Sequence, residues 1–485
     1  MKYNLNLKSL YLILLIGVML HFIYILQFDD YYDDWNFFYT VYPYISDSDT
    51  WIRHYFGDRG DGTILKEAFP WNFTYLTKYF LKIAGYTVEN VHYFLIIFTT
   101  LSFLVFYKLC NLISESYRFK LLALIFLVTN LFLIRELNAF RPHSLSILLS
   151  LLSNYFFIVV YIKNRNEKKF ILFYIISSIL MLSFWSQNLS LYFGHCVCFL
   201  ILCFKKKKFI FHVMPASTIF LMYALLNYDY IKYIAFQDWS YTQINIKFFF
   251  SYFFGSFFGS NILGGLILII FSIYLIKEVV TNLKKLSISK MPIFNLNSEK
   301  FLIINIISIY FTVILYSILK ESVLAPKYFL VLIPLIILWL SLKLSKIKSL
   351  YYNVILVSLV LNTFYYWNDV PIKKPPMRDL LKIIKNQNIK KVYTTERIFI
   401  NNFLRNYNLA KQNRIIIEKL DDLNYIVSND KFAIICMNYP RFAFGNSKLG
   451  KIDSKCQNIL SNKKIEIINV ITINDFLIFI SKYKL

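Results

Sequence analysis

The feature that most constrains the fold is a series of long apolar runs along the chain. A helix needs about 20 such residues to cross the ~30 Å hydrocarbon core of a bilayer. About eleven runs approach that length, at residues 10–27, 91–109, 121–135, 142–161, 170–186, 188–204, 209–226, 260–276, 301–319, 328–342 and 350–367. Hydrophobic residues make up 57% of the chain, against roughly 45–50% in soluble domains. The sequence therefore predicts a polytopic α-helical membrane protein with about eleven transmembrane helices.

Basic residues between these runs predict the orientation. The net charge is +25, and Lys and Arg cluster after every even-numbered run, as at 205–208. Cytoplasmic loops carry such an excess of positive charge. We expect the N-terminus in the cytoplasm and, because the number of spans is odd, the C-terminus outside. The richness in Ile, Asn, Lys, Phe and Tyr is typical of bacteria with AT-rich genomes, so the expected location is the bacterial inner membrane. No nucleic-acid-binding motif accompanies the charge, and nucleic acid is not expected as a partner.

The composition changes after Pro371. We divide the chain into a membrane domain at 1–369, a Pro-containing linker at 370–376 and an extracytoplasmic α/β domain at 377–485. In this last domain, patterns predict helices at 377–388 and 396–408, and strands at 390–395, 414–418, 432–437, 465–471 and 476–481. Cys436 and Cys456 both belong to it. They can form a disulfide if the domain is outside the cell, but the sequence leaves their pairing open.

An acidic segment directly follows the first apolar run. Residues 28–35 contain the four carboxylates Asp29, Asp30, Asp33 and Asp34, at the start of a first outer loop that we place at 28–90. Neighbouring carboxylates repel one another, so they do not all ionise equally. One of them can act as a general base toward a hydroxyl at the lipid–water boundary. The alternative is an acidic loop that is simply solvated.

Several basic residues are predicted on the outer face, against the usual charge bias. They are Arg135, Arg141 and Lys327, together with Arg53, Arg59 and Lys66 of the first loop. Arg and Lys suit a phosphate group, which Arg can bind through two hydrogen bonds. No Gly-rich nucleotide-binding motif is present. The apolar runs also lack the central charged residues of ion-coupled transporters.

Short motifs follow one another in an order that resembles a known superfamily. They are Asp33-Asp34 soon after the first span, Lys66–Trp71 followed by an amphipathic helix at Tyr75–Gly85, Arg141-Pro142-His143 opening the fourth span, and Lys327-Tyr328 before a Leu- and Pro-rich span. This arrangement resembles the GT-C membrane glycosyltransferases, in the branch of the aminoarabinose transferases and protein O-mannosyltransferases. The family patterns are Asp-Glu, Arg-Pro-Tyr and Arg-Tyr, so Asp34, His143 and Lys327 depart from them.

The resemblance implies a GT-C fold and an inverting glycosyltransferase. Such an enzyme moves a sugar from a polyprenyl phosphate to a hydroxyl of an envelope lipid, glycan or protein at the outer face of the membrane. It implies Asp33, or else Asp34, as the catalytic base, and as substrate- or phosphate-binding residues Arg141, Lys327, Tyr328, Glu67, Lys66 and Arg135. No cofactor is required, although the acidic loop could bind a divalent metal. The alternatives are a lipid-linked glycan flippase or transporter and an O-antigen-type polymerase.

Overall fold

The computed structural model describes most of the helical part of the chain and a sheet near the C-terminus. The described residues are 2–27, 56–58, 64–66, 71–85, 88–165, 167–203, 210–226, 262–266, 269, 272, 296–319, 326–367, 382–384, 386–394, 416–419, 431–437, 465–473 and 476–483. They belong to two compact units. One unit comprises 1–26 and 92–370, and the other comprises 27–91 and 371–485.

Helices make up nearly all of the described first unit. In chain order, and counting α2 of the second unit, the helices are α1 Lys2–Gln27, α2 Trp71–Ala84, α3 Val88–Ile113, α4 Tyr117–Val128, α5 Leu131–Leu137, α6 His143–Phe157, α7 Lys168–Phe184, α8 Leu189–Cys203, α9 Ile210–Leu226, α10 Ser298–Leu319, α11 Leu332–Leu344 and α12 Ser349–Tyr365. Short 3-10 turns at Ser186–Asn188 and Pro326–Phe329 precede α8 and α11.

Several of these helices can cross a membrane. By length and composition, four described segments qualify, namely Lys8–Gln27, Glu89–Ile113, His143–Ile162 and Ser298–Leu319. The pair α4 and α5 qualifies as a fifth if it is taken as one bent span, and α8, α11 and α12 are shorter apolar helices. Most of the predicted run at 260–276 lies outside the described residues. The count of about eleven spans therefore stays a prediction.

The third predicted span, 121–135, falls on two helices, α4 and α5, and not on one continuous helix. The chain bends by 56° between α4 and α5. At the break, the Thr129 hydroxyl donates to the Ile125 carbonyl at 2.7 Å. The Asn130 side-chain oxygen accepts from the Leu133 amide at 2.8 Å, which caps the start of α5. Thr129 therefore follows the end of α4, and Asn130 caps the start of α5. As a result, the axis of α5 differs in direction from that of α4.

Helix α6 is buried along most of its length. It continues into a π-helical turn at Ile158–Ile162, where the Lys163 amide donates to the Ile158 carbonyl at 2.8 Å. Phe157 is the last residue of α6. Its ring packs against Phe199 of α8 at 5.1 Å and Phe301 of α10 at 4.7 Å. These aromatic contacts hold α6 against two helices that are distant in sequence.

Buried polar residues also join the helices of this unit. His195 of α8 donates from Nε2 to the Asn154 side-chain oxygen at 3.1 Å, and its Nδ1 accepts from the Tyr174 hydroxyl at 3.2 Å. Both ring nitrogens of His195 therefore have hydrogen-bond partners. Among the described residues, no group of three or more His, Cys, Asp or Glu could hold a metal ion.

The second unit contains the amphipathic helix predicted in the first loop. The expected segment Tyr75–Gly85 is confirmed up to Ala84, the last residue of α2, Trp71–Ala84. Gly85 ends this helix with a φ of 101°, a conformation that glycine adopts easily. The Asn90 side-chain amide donates to the Ala84 and Gly85 carbonyls at 2.7 and 2.9 Å. Upstream, β1 Phe56–Asp58 and β2 Ile64–Lys66 form an antiparallel pair.

A five-stranded sheet forms the described part of the C-terminal region. Its strands are β3 Lys391–Thr394, β4 Ile416–Lys419, β5 Phe432–Met437, β6 Ile465–Ile473 and β7 Phe476–Tyr483, in the order β4-β3-β5-β7-β6. Strands β4, β3 and β5 are parallel, and β7 and β6 run antiparallel to them and to each other. All five strand predictions are confirmed. The predicted helix at 396–408 and much of that at 377–388 lie outside the described residues. Cys436 of β5 is disulfide-bonded.

Candidate functional site

The candidate site begins with an ion pair at the end of α5. Arg135 donates from Nε and Nη2 to the same carboxylate oxygen of Glu136, at 3.1 and 2.9 Å. The Arg135 guanidinium also lies over the Phe132 ring, 4.9 Å from its centroid. Glu136 is nearly buried, with 9% of its surface exposed. A buried carboxylate requires such partners, because burial without them is costly.

The second carboxylate oxygen of Glu136 turns toward His143, the first residue of α6. The Nδ1 atom of His143 lies 3.2 Å from this oxygen and 3.2 Å from the Glu136 backbone carbonyl. Both neighbours only accept hydrogen bonds, so Nδ1 carries a proton. In the neutral ring, Nε2 then has a lone pair. Nε2 is buried and has no hydrogen-bond partner among the described residues. The Trp185 ring packs edge-on against the imidazole at 5.2 Å.

Positive charges act on this pair. Arg141 and Lys327 both act electrostatically on His143, and Arg135 and Arg141 act on Glu136. Among the described residues, three basic side chains therefore act on the Glu136–His143 pair. Arg and Lys side chains placed in this way can bind an anion such as a phosphate group.

Two local structures position the cations. Arg141 lies in the turn before α6, where its amide donates to the Ala139 carbonyl at 2.7 Å. Lys327 lies in the 3-10 turn Pro326–Phe329, with its ammonium 5.3 Å from the centroid of the Tyr328 ring. The Phe329 ring packs against Tyr310 of α10 at 5.5 Å. Segments that are far apart in sequence thus contribute charges that act on the same imidazole. We call Arg135, Glu136, Arg141, His143 and Lys327 the charged cluster.

The structure brings together some of the residues predicted for the site. Arg135, Arg141 and Lys327 belong to the charged cluster, with Tyr328 beside Lys327. Lys66 ends strand β2. The predicted bases Asp33 and Asp34, and the predicted binding residue Glu67, lie outside the described residues, so their roles remain predictions.

Sequence reasoning gave Glu136 no role and named His143 only as part of a motif. The available signal was a carboxylate in a mostly apolar segment, close to the start of the next span. Buried carboxylates are rare unless they are paired. Glu136 could therefore have been recognised as a residue that needs a partner.

The bundle of apolar helices, with its interrupted third span and its C-terminal sheet, defines the class as a multi-pass membrane protein with the GT-C fold. Two similar solved structures are both of ArnT from Cupriavidus metallidurans. The structure bound to undecaprenyl phosphate has a TM-score of 0.53 and 9% identity, and the match covers 99% of this chain and 97% of ArnT. The apo structure has a TM-score of 0.58 and 9% identity, with 98% of each chain covered.

The similarity confirms the predicted fold. No protein-family model and no curated protein sequence matches the chain. The structural match covers nearly the whole chain. With an identity of only 9%, it does not show which residues bind substrate.

Proposed function

We propose that this chain is an inverting glycosyltransferase that uses a polyprenyl-phosphate sugar as its donor. The acceptor is a hydroxyl of an envelope lipid, glycan or protein, and the reaction takes place at the outer face of a bacterial inner membrane. The full-length similarity to ArnT, including the form bound to undecaprenyl phosphate, supports this proposal. The order of motifs in the sequence supports it independently.

The charged cluster is the observation that carries the proposal. A lipid phosphate leaving group gains negative charge as its bond to the sugar breaks. Arg141 and Lys327 supply fixed positive charge for it, and both act on one buried imidazole. Charges that are already in place lower the barrier without reorganisation. Arg135, paired with Glu136, adds a third cation.

The remaining roles in the proposal follow from the motifs. Asp33, or else Asp34, takes the proton from the acceptor hydroxyl, whose oxygen then attacks the anomeric carbon with inversion. The electron pair of the breaking bond leaves with the phosphate. Tyr328, Lys66 and Glu67 complete the binding of the donor. The reaction requires no nucleotide and no cofactor.

The function is tested by mass spectrometry of surface glycans and lipid-linked sugars in cells with and without the gene. Loss of the gene should remove one sugar from an envelope molecule and leave its polyprenyl-phosphate donor in excess. If the two profiles are identical under conditions in which the gene is expressed, the chain is not a transferase in those cells.

Single substitutions in the charged cluster sharpen this test. Arg141→Ala and Lys327→Ala should each raise the KM for the lipid donor by roughly tenfold or more, because each removes a charge-assisted contact worth about 1.5–3 kcal/mol. Arg165→Ala is a matched control. Arg165 follows the opposite end of the span that begins at His143, and it is exposed. Wild-type donor kinetics in both cluster variants would remove these residues from the phosphate site.

A further inference from the structure

We propose that His143 binds the donor phosphate in a proton-dependent way, so that each phosphate bound brings one proton onto Nε2 of this imidazole. The proposal rests on the proposed function and deepens it. It adds a titratable third contact to the site formed by Arg141 and Lys327, and it makes Glu136 the residue that orients this contact.

The geometry leaves one atom of the imidazole for a ligand. The side-chain carboxylate and the backbone carbonyl of Glu136 both lie 3.2 Å from Nδ1 and accept hydrogen bonds from it. The ring is thereby fixed with Nε2 as its second polar atom. Residue His143 has no exposed surface, and Nε2 has no hydrogen-bond partner among the described residues. A buried polar atom without a partner is costly, so a ligand that supplies one gains that energy.

The charges that face His143 explain why the proton would arrive together with the anion. Burial of the ring opposes its protonation most strongly. The Glu136 carboxylate of α5, 3.2 Å from Nδ1, favours the protonated ring, whereas Arg141 of the preceding turn and Lys327 of the 3-10 turn oppose it. Arg135 acts through Glu136, to which it is paired. The Trp185 ring, which packs on the imidazole from the end of α7, is uncharged. A bound phosphate offsets the two opposing cations, and the protonated ring can then donate from Nε2 to a phosphate oxygen.

The proton balance is simple. The neutral imidazole takes one proton from solvent at Nε2, and the phosphate oxygen accepts the resulting hydrogen bond. No covalent bond to phosphorus or carbon changes in this step. Binding that takes up one proton weakens as pH rises, by about tenfold per pH unit once the free imidazole is neutral.

The test is calorimetric titration of the purified full-length chain in detergent with undecaprenyl phosphate. Measurements in two buffers with different ionisation enthalpies give the number of protons taken up. For the wild-type chain, uptake should exceed that of His143→Gln by about one proton per phosphate. The affinity of the variant should depend less steeply on pH. The ligand's own ionisation contributes equally to both proteins, so the difference isolates His143.

Three further variants separate binding from a structural role. His143→Tyr keeps a hydroxyl donor and should bind the lipid phosphate without the additional proton. Arg141→Ala should bind more weakly but still take up the proton. His195→Gln is the matched control, because His195 is equally buried but has partners on both ring nitrogens. It should keep the wild-type uptake.

The outcomes are distinct. If wild type and His143→Gln bind undecaprenyl phosphate with equal proton uptake and equal pH dependence, Nε2 meets only water and this inference is wrong, while the proposed function stands. If the wild-type chain does not bind undecaprenyl phosphate at any pH, both the inference and the proposed function fail.

Discussion

Glu136 and His143 are separated by seven positions in the sequence and meet across the turn that joins α5 to α6. The motif resemblance pointed to Arg141, His143 and Lys327, since each belongs to a short pattern. It could not predict the contact with Glu136, because that contact depends on the path of the turn. Backbone bonds set this path, from Ala139 to the Glu136 carbonyl and from Arg141 to the Ala139 carbonyl. Such local geometry cannot be predicted from residue types alone.

At the same scale, the identity of the catalytic base is a prediction about Asp33. Asp33→Asn keeps the size of the side chain and its capacity for hydrogen bonds, but it cannot accept a proton from the acceptor. We expect turnover to fall by about 10²–10⁴-fold with little change in the amount of folded protein. The measurement is transfer of a sugar from the lipid donor by the purified variant.

The neighbouring carboxylates serve as controls for Asp33. Asp29→Asn and Asp30→Asn should have smaller effects if these residues only solvate the loop. Full activity of Asp33→Asn, together with loss of activity in Asp29→Asn or Asp30→Asn, would move the base toward the membrane end of the segment.

At the scale of helices and strands, the sequence predicted most elements because apolar runs and alternation are strong signals. The strand at 432–437 coincides with β5, Phe432–Met437. The break between α4 and α5 was missed because Thr129 and Asn130 are only two polar residues in a long apolar run. Their side chains bond to nearby backbone groups, and this local competition interrupts the helix.

The contact between α8 and α10 leads to a prediction about Gly194. A Cβ added at this position would collide with the side-chain oxygen of Asn305 and would lie 3.1 Å from the Asn305 Cα. Asn305 cannot easily give way, because its amide donates to the Phe301 carbonyl at 2.8 Å and the residue is fully buried. Gly194→Ala should therefore destabilise the protein by about 1–3 kcal/mol. The thermal unfolding midpoint in detergent measures the effect.

Gly265→Ala provides the matched control for this substitution. A Cβ added at Gly265 meets nothing within 4 Å, so the same chemical change should leave the midpoint nearly unchanged or raise it slightly. Equal midpoints for Gly194→Ala and Gly265→Ala would mean that α8 and α10 approach each other less closely than described.

At the scale of the whole molecule, the boundary between the two units after Val370 falls at the start of the predicted linker, 370–376. The location of the C-terminal region outside the cytoplasm remains a prediction from the charges of the loops. The disulfide at Cys436 supports that location, because disulfides persist in oxidising compartments outside the cytoplasm. In contrast, Cys110, Cys196, Cys198 and Cys203 of the helices are free thiols.

Labelling in intact cells tests the orientation of the chain. Cysteines introduced at Asp61, in the first loop, and at Ser461, in the C-terminal region, should both react with a membrane-impermeant maleimide. Both positions lie outside the described residues. The unsubstituted chain supplies the background signal of the native thiols. Reaction at only one of the two positions would mean that the number of spans between them is odd.

The π-helical turn at Ile158–Ile162 has a consequence for the comparison of related chains. Such a turn holds one residue more than the α-helical turn it replaces. A relative shorter by one residue here can close the turn as ordinary α-helix and keep the spacing from His143 to Phe157. An alignment that allows no gap inside this helix would then rotate every later residue by about 100°. Relatives should therefore be aligned separately on the two sides of the turn.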